Sequence, residues 1–224
     1  MISSIDPPVF ITVRDRVVDL CRLVAWLERA GHQRIVLLDN ASTYEPVVEY
    51  LRSTPHDVVC LGKNLGSRAL WHAGLAPRDE WFVLTDPDVV PLDDCPHDAV
   101  RYLHDLLLRY GGPKAALGLY LGDVPGDLGC LPWERQLLDP WPGDSWRGRL
   151  APGVFDSLSD TTFALYPPGG AFGYHALRTG WPYQARHMPW YEPATDEERA
   201  ERAYYLAHAK GGCEGSSYKD GLQA

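Results

Sequence analysis

Short apolar runs alternate with amphipathic stretches through the first hundred residues, and this alternation restricts the fold more than any other feature. The runs are rich in β-branched residues and too short for helices, which is typical of buried strands. They span residues 9–13, 34–38, 57–61 and 81–85. Helical spacing of apolar residues between them predicts an α/β fold of Rossmann type, with a mainly parallel sheet and helices on both faces.

Polar residues that precede the helical stretches predict where those helices begin. Asp15 is expected to cap the first helix, and Ser42 or Thr43 the second. Gly31 is expected to end the first helix, since glycine is favoured just after a helix terminus.

The fourth run ends in two carboxylates, Asp86 and Asp88, on either side of Pro87. Proline favours an extended residue before it, so we expect strand pairing to stop there and both carboxylates to lie at a strand's carboxyl end. Open α/β sheets bind their ligands at this edge. Two adjacent like charges repel unless a cation lies between them, and a hard divalent metal shared with a phosphate would serve. The alternative is a plain Asp-Pro-Asp surface turn.

The second half shows weaker patterns. It predicts a helix over residues 96–110, strands over 115–121, 161–166 and 172–177, and a last helix capped by Thr195. Residues 122–152 show neither the helical nor the strand spacing of apolar residues. They contain Trp133, Trp141 and Trp146, which favours a long functional loop. We therefore predict one domain over residues 1–210, with a nucleotide-binding half (1–95), a second half (96–210) that contains the long loop 122–152, and a flexible tail (211–224).

Composition narrows the class of protein. The net charge of −9 and the absence of a basic stripe disfavour a nucleic-acid partner. No apolar run is long enough for a transmembrane helix, and the first residues lack a secretory pattern. Five cysteines without metal-ligand spacing are expected to be buried, reduced thiols, which favours a cytoplasmic location.

Each predicted strand of the first half ends in polar residues, and in a parallel sheet these ends share one edge. They are Arg14-Asp15, Asp39-Asn40, Asn64 with Gly66, and Asp86 with Asp88. The segments 37–43 (Leu-Leu-Asp-Asn-Ala-Ser-Thr), 64–66 (Asn-Leu-Gly) and 86–88 (Asp-Pro-Asp) resemble, in order and spacing, motifs of the family 2 glycosyltransferases with the GT-A fold. The resemblance covers about residues 9–92.

The resemblance implies a metal-dependent glycosyltransferase that moves a sugar from a nucleoside-diphosphate donor, with a UDP-sugar favoured, to a hydroxyl-bearing acceptor. By this likeness Thr12, Val13, Arg14 and Asp39 would hold the base, and Asn64 and Gly66 would lie near the ribose and diphosphate. Asp86 would reach the ribose or a metal-bound water, and Asp88 would bind Mn²⁺ or Mg²⁺. Arg68, near a helix start, would add positive charge beside the diphosphate.

Candidates from the second half complete the expected site. Asp160 is the candidate base that takes the acceptor's proton, with Asp156 as second choice. His187 is the candidate additional metal ligand, with His175 as its competitor. Trp190 would stack on a sugar ring or else close the core. The family's usual Glu-Asp pair is not evident here, which leaves the stereochemistry of transfer open.

Three other functions fit parts of the sequence. Asp86 and Asp88 also match the motif of haloacid-dehalogenase-like phosphatases, but no acidic pair follows Lys114 as that family requires. A nucleotidyltransferase would need a glycine-rich loop after the first strand, where Val13-Arg14-Asp15-Arg16 has no glycine. A non-catalytic module that binds a nucleotide sugar is the third alternative.

Overall fold

The computed structural model describes residues 5–124, Glu134 and residues 148–208. Within these residues the strands are β1 (Val9–Val13), β2 (Ile35–Asp39), β3 (Asp57–Cys60), β4 (Phe82–Thr85), β5 (Val89–Pro91), β6 (Ala115–Ala116), β7 (Gly118–Leu119), β8 (Gly148–Ala151), β9 (Val154–Leu158), β10 (Ala164–Tyr166), β11 (His175–Thr179) and β12 (Gln184–His187). The helices are α1 (Val18–Arg29), α2 (Glu45–Ser53), α3 (Ala69–His72), α4 (Ala99–Tyr110) and α5 (Asp196–His208), and a 3₁₀ turn spans Met188–Trp190.

The first four strands form a parallel unit in the order β3-β2-β1-β4, as the sequence predicts. β1 lies between β2 and β4, and its apolar residues Val9, Ile11 and Val13 are fully buried. Every carboxyl end of these strands therefore lies at one edge of the sheet.

The second half extends the same sheet, which continues β4-β10-β6-β11-β9-β8. β10 runs antiparallel to both β4 and β6, and β9 runs antiparallel to both β11 and β8. The prediction of a mainly parallel sheet is thus confirmed for the first half, and the whole sheet is mixed. The antiparallel β10 has a structural consequence: the residues before it arrive beside the carboxyl end of β4.

A second, three-stranded sheet has the order β5-β12-β7 and was not predicted. The predicted strand over 115–121 divides at Leu117, so that β6 joins the large sheet and β7 the small one. β5 and β12 are three and four residues long, too short to show a period. The end of the predicted loop 122–152 is also strand, since β8 occupies residues 148–151; its tryptophans and the predicted tail lie outside the described residues.

Two apolar layers cover the large sheet. Buried residues of α1 and α4 pack on one face with Val9, Ile11 and Val13. The other face is aromatic near its centre, where the rings of Phe82 and Tyr166 stack with centroids 5.1 Å apart. Helices thus cover both faces, because Leu70 of α3 packs against this second layer.

The prediction of buried thiols is right for one of the three described cysteines, and Cys130 and Cys213 lie outside the described residues. Cys95 is buried, whereas the free thiols of Cys21 and Cys60 are exposed. Among the helices of residues 5–124 and 148–208, none combines the length and apolar character needed to cross a membrane.

The start of α1 is capped from the far end of the chain. Asp15 makes no cap there, and instead the buried Glu201 of α5 accepts hydrogen bonds from the backbone N–H groups of Val17, at 2.5 Å, and Val18, at 3.0 Å. α5 itself begins as predicted, because Thr195 Oγ1 accepts from the N–H of Glu198 and Glu198 accepts in return from the N–H of Thr195. This cap ties the last helix to the β1–α1 loop.

We predict that Glu201→Ala lowers the free energy of unfolding by about 1–3 kcal/mol, since it leaves two helix N–H groups without their buried acceptor. Chemical denaturation followed by circular dichroism measures the change. Glu197→Ala is the matched control, because Glu197 is exposed on the same helix, and it should change stability by less than about 0.5 kcal/mol. Equal effects of the two substitutions would show that the cap contributes nothing.

Candidate functional site

The loops that follow β1, β2 and β3 are tied together by hydrogen bonds. Arg14 Nη1 donates to the carbonyl of Asn40 at 2.8 Å. The side chain of Asn40 then spans the next gap, where Nδ2 donates to the carbonyl of Gly66 at 3.0 Å and Oδ1 accepts from the N–H of Leu65 at 2.7 Å. Asn40 therefore connects two loops at the sheet edge, with one hydrogen bond at each end of its buried amide.

Asp15 fixes the first of these loops in a rare conformation. Its φ of 51° lies in the left-handed region, as does the φ of 61° at Ala41 in the facing loop. Three hydrogen bonds offset the strain, because Asp15 Oδ1 accepts from the N–H groups of Thr43 and Tyr44 and its own N–H donates to Ser42 Oγ. Asp15 thus supports the start of α2, where neither Ser42 nor Thr43 provides the expected side-chain cap.

The residues predicted to hold a base divide into two groups. Val13 is fully buried in the apolar core, so its side chain is not available to a ligand. Thr12 is also buried, yet its Oγ1 has no hydrogen-bond partner in the described part of the chain. Asp39 is partly exposed and accepts a hydrogen bond from the N–H of Ser42 at 2.9 Å. Thr12 and Asp39 remain suited to contact a polar ligand at this edge.

The predicted turn after β3 has the expected form. Gly66 has a φ of 72°, which favours glycine, and its N–H donates to Asn64 Oδ1 at 2.9 Å. Arg68 lies beyond this turn and is exposed, with its guanidinium 4.2 Å from the ring centre of Phe172 and donating to the hydroxyl of Tyr174 at 3.4 Å. Arg68 is thus directed toward the segment that precedes β11.

Asp86 and Asp160 meet at the end of β4. Oδ2 of Asp86 accepts a hydrogen bond of 2.5 Å from Thr161 Oγ1, so the residue next to Asp160 is joined directly to Asp86. Burial raises the pKa of Asp86 to about 7, and the negative charge of Asp160 adds to the rise. The carboxylate of Asp160 itself is exposed at the mouth of the site.

Asp88 lies deeper, with 3% of its surface exposed. It forms an ion pair with Arg16 of the β1–α1 loop, and Nε2 of His187 lies 3.8 Å from its Oδ2. His187 reaches this position because β12 pairs with β5, which follows the Asp-Pro-Asp segment directly. Burial and then the guanidinium of Arg16 lower the pKa of His187 to about 4, so the imidazole is neutral near pH 7.

The donor atoms suit a hard divalent cation, but their present arrangement does not form a metal cage. Carboxylate oxygens of Asp86 and Asp88 and an imidazole nitrogen of His187 are ordinary ligands for Mn²⁺ or Mg²⁺. Within residues 5–124, 134 and 148–208, however, no group of three or more His, Cys, Asp or Glu side chains is placed so that it could hold a metal ion. The guanidinium of Arg16 pairs with Oδ2 of Asp88, the same oxygen that faces His187.

Lys114 is a site residue that the sequence reasoning did not identify. It is 1% exposed, and its Nζ donates to the carbonyl of Asp160 at 2.5 Å and to the hydroxyl of Tyr166 at 3.2 Å. Burial lowers its pKa to about 8, an effect that the charge of Asp160 opposes. A lysine directly before a buried apolar strand was the one signal for it. Lys114 holds the segment that carries Asp160 in place.

The second choices for base and metal ligand lie elsewhere. Asp156 and His175 pair with each other, with Oδ1 and Nε2 2.5 Å apart, on β9 and β11. β11 is three strands beyond β4 in the sheet. The structure therefore brings Asp160 and His187 to the acidic pair, and does not bring Asp156 or His175 there.

Trp190 closes the core. It is 7% exposed and packs in the main apolar cluster, with its ring edge against His187 at a centroid distance of 5.0 Å. No open ring face remains for a sugar, so of its two expected roles only the structural one fits.

A cavity of about 240 Å³ lies apart from the acidic pair, between α1, α5 and the segment after β12. Its arginines Arg22 and Arg186 already pair with Asp19 and Asp123. None of Asp86, Asp88, Asp160 and His187 lines it. We therefore place the candidate site at the sheet edge.

Comparison with known proteins adds no assignment. No protein-family model matches the chain, and no curated protein matches it either. The resemblance to family 2 glycosyltransferases therefore depends on the sequence motifs alone.

We predict that Asp86→Asn stabilises the metal-free protein at neutral pH. The pKa of Asp86 is raised from 3.8 to about 7, so the folded state binds a proton that the unfolded chain releases. The unfolding free energy of the wild type therefore falls as pH rises through this window, and the variant avoids that loss. We expect a gain of at least about 1.4 kcal/mol at pH 8, the equivalent of one pKa unit, that disappears near pH 4.

Thermal unfolding in EDTA between pH 4 and pH 8 measures this difference. Asp93→Asn is the control, since Asp93 is exposed. If the stability difference between Asp86→Asn and the wild type does not change with pH, the raised pKa of Asp86 is contradicted.

Proposed function

We propose that the protein is a glycosyltransferase that uses a nucleoside-diphosphate sugar. One observation carries the proposal: three strand-end loops of a parallel sheet are bound to one another beside a cluster of carboxylates, and the candidate base arrives there from the other half of the chain. Ligands of open α/β sheets bind at this edge. The arrangement provides separate groups for a nucleotide, a diphosphate and an acceptor hydroxyl.

The donor nucleotide would lie across the loops after β1, β2 and β3. The unpartnered hydroxyl of Thr12 and the partly exposed carboxylate of Asp39 are the groups that would bind the base. The exposed Asn64, at the turn formed by Gly66, would bind the ribose. Since Arg14 and Asn40 hold the loops together, their role is to keep this surface in one conformation. A uridine nucleotide is our first choice.

The residues fit a divalent cation by the chemistry of their donor atoms. Asp88 would hold Mn²⁺ or Mg²⁺, with Asp86 and the neutral His187 beside it. When bound, such a cation stabilises the negative charge that gathers on a departing diphosphate. Asp88 and His187 are already close, at 3.8 Å.

Asp160 would serve as the base for the acceptor. Its Oδ1 accepts hydrogen bonds from Thr162 Oγ1 at 2.9 Å and from the N–H of Thr162 at 3.3 Å, and Lys114 holds its backbone carbonyl. The exposed carboxylate would take the proton of the acceptor hydroxyl while that oxygen bonds to the sugar and the diphosphate leaves. Sugar transfer therefore needs both halves of the chain.

We predict that nucleoside diphosphates with Mn²⁺ raise the melting temperature. At a concentration about 100 times the dissociation constant, a ligand adds about 2.7 kcal/mol, or about 5–10 °C for a protein of this size. A thermal-shift panel of UDP, GDP, dTDP and their sugar derivatives, with and without Mn²⁺, measures this effect. No shift with any of them would refute the donor assignment, and release of phosphate from p-nitrophenyl phosphate would favour a phosphatase instead.

We predict that Asp160→Asn lowers the turnover number for sugar transfer by about 100- to 10,000-fold, the usual contribution of a general base. Nucleotide affinity should stay unchanged, because Asp160 belongs to the acceptor side. Steady-state kinetics and calorimetric titration of the nucleotide separate the two effects. Asp156→Asn is the control and should retain activity, since Asp156 lies on β9 with His175. Full activity of the Asp160→Asn variant would show that Asp160 is not the base.

A further inference from the structure

Arg16 occupies the centre of the acidic cluster. It is 8% exposed and forms an ion pair with Asp88, the deeper carboxylate of the pair. Its positive charge opposes the rise that burial causes in the pKa of Asp86, and adds to the fall that burial causes in the pKa of His187. The guanidinium carbon lies 4.1 Å from the ring centre of Tyr205 on α5. Arg16 therefore has a specific partner on each side, contributed by regions far apart in the sequence.

This placement conflicts with direct entry of a metal. Removing one partner of a buried ion pair leaves a buried charge without compensation, so Asp88 needs a cation at all times. A guanidinium and a divalent cation on the same carboxylate would repel each other at close range. Binding of a metal to Oδ2 of Asp88, the oxygen that faces His187, therefore requires Arg16 to move away from it.

We propose that Arg16 is the internal counter-ion of Asp88, which a divalent cation must displace, and that the diphosphate of the donor receives the displaced guanidinium. The inference rests on the proposed function, because it concerns the same metal and diphosphate. A guanidinium suits this exchange, since it binds carboxylate and phosphate oxygens in the same two-pronged way. The ring of Tyr205 holds the guanidinium at Asp88 while no nucleotide is bound.

The exchange couples the two ligands. Mn²⁺ alone gains Asp88 at the cost of the ion pair between Arg16 and that carboxylate, whereas a nucleoside diphosphate bound with Mn²⁺ offers Arg16 phosphate oxygens in exchange. Mn²⁺ should therefore bind weakly alone and more tightly with UDP, by a factor within the usual range of about 5- to 150-fold. The reverse effect, of Mn²⁺ on UDP, must be equal in size.

The test is direct titration of the full chain with Mn²⁺, with free Mn²⁺ followed by electron paramagnetic resonance, in the absence and presence of UDP. Arg16→Gln should bind Mn²⁺ alone at least about tenfold more tightly than the wild type and should lose the coupling to UDP. Tyr205→Leu keeps the positive charge of Arg16 but removes the aromatic ring beside its guanidinium. The Mn²⁺ affinity of this variant in the absence of UDP should therefore lie between that of the wild type and that of Arg16→Gln. A double variant that combines Arg16→Gln with Asp88→Asn should lose the increase in Mn²⁺ affinity.

Arg22→Gln is the matched control, because it also removes one positive charge but from a pair with Asp19 and Glu198 on α1 and α5. It should leave Mn²⁺ affinity unchanged. Circular dichroism checks that each variant is folded, and if Arg16→Gln does not fold, Tyr205→Leu carries the test. If the wild type binds Mn²⁺ with UDP but neither Arg16→Gln nor Tyr205→Leu binds Mn²⁺ alone more tightly, the counter-ion inference is wrong and the proposed function stands. If no variant binds Mn²⁺ with or without any nucleoside diphosphate, the proposed metal-dependent function fails as well.

Discussion

Three carboxylates, Asp86, Asp88 and Asp160, gather near the carboxyl end of β4, and the burial of two of them is the constraint that the surrounding structure must satisfy. The chain meets it in two ways. Asp88 pairs with a buried cation, Arg16, and Asp86 holds its proton to about pH 7 while it accepts a hydrogen bond from Thr161. Each response requires a residue from another part of the fold, so the cluster can form only when the sheet is complete.

The parts that the sequence predicts are those that depend on local patterns. The strands of the first half stand out as short apolar runs. Their parallel arrangement follows from the helices between them. The meeting of Asp39, Asn64 and Asp86 at one edge is a geometric consequence of that topology. Gly66 and Thr195 have the local conformations that their residue types favour.

The parts that the sequence does not predict depend on contacts between distant residues. The cap of α1 by Glu201 joins positions 183 and 184 residues apart, and no local signal marks it. In the sequence, Arg16 and Lys114 look like ordinary charged residues. Only the fold shows that β4, β10 and α5 surround them. For Trp190 the sequence leaves two roles open, a contact with a sugar ring or closure of the core, and only the fold shows that the side chain is buried. Burial of a side chain is a property of the whole fold, so the sequence alone did not predict the environment of these residues.

The central claim is that Asp88 binds a divalent cation next to a nucleoside diphosphate that lies across the loops after β1 and β2. The most direct measurement is a crystal structure of the protein with Mn²⁺ and UDP, with manganese located by its anomalous scattering. The account predicts a manganese peak bonded to Asp88 and to the diphosphate, with Arg16 turned away from Asp88 toward phosphate oxygens. An intact pair of Arg16 and Asp88, with no manganese beside it and the nucleotide absent from this edge, would contradict the account.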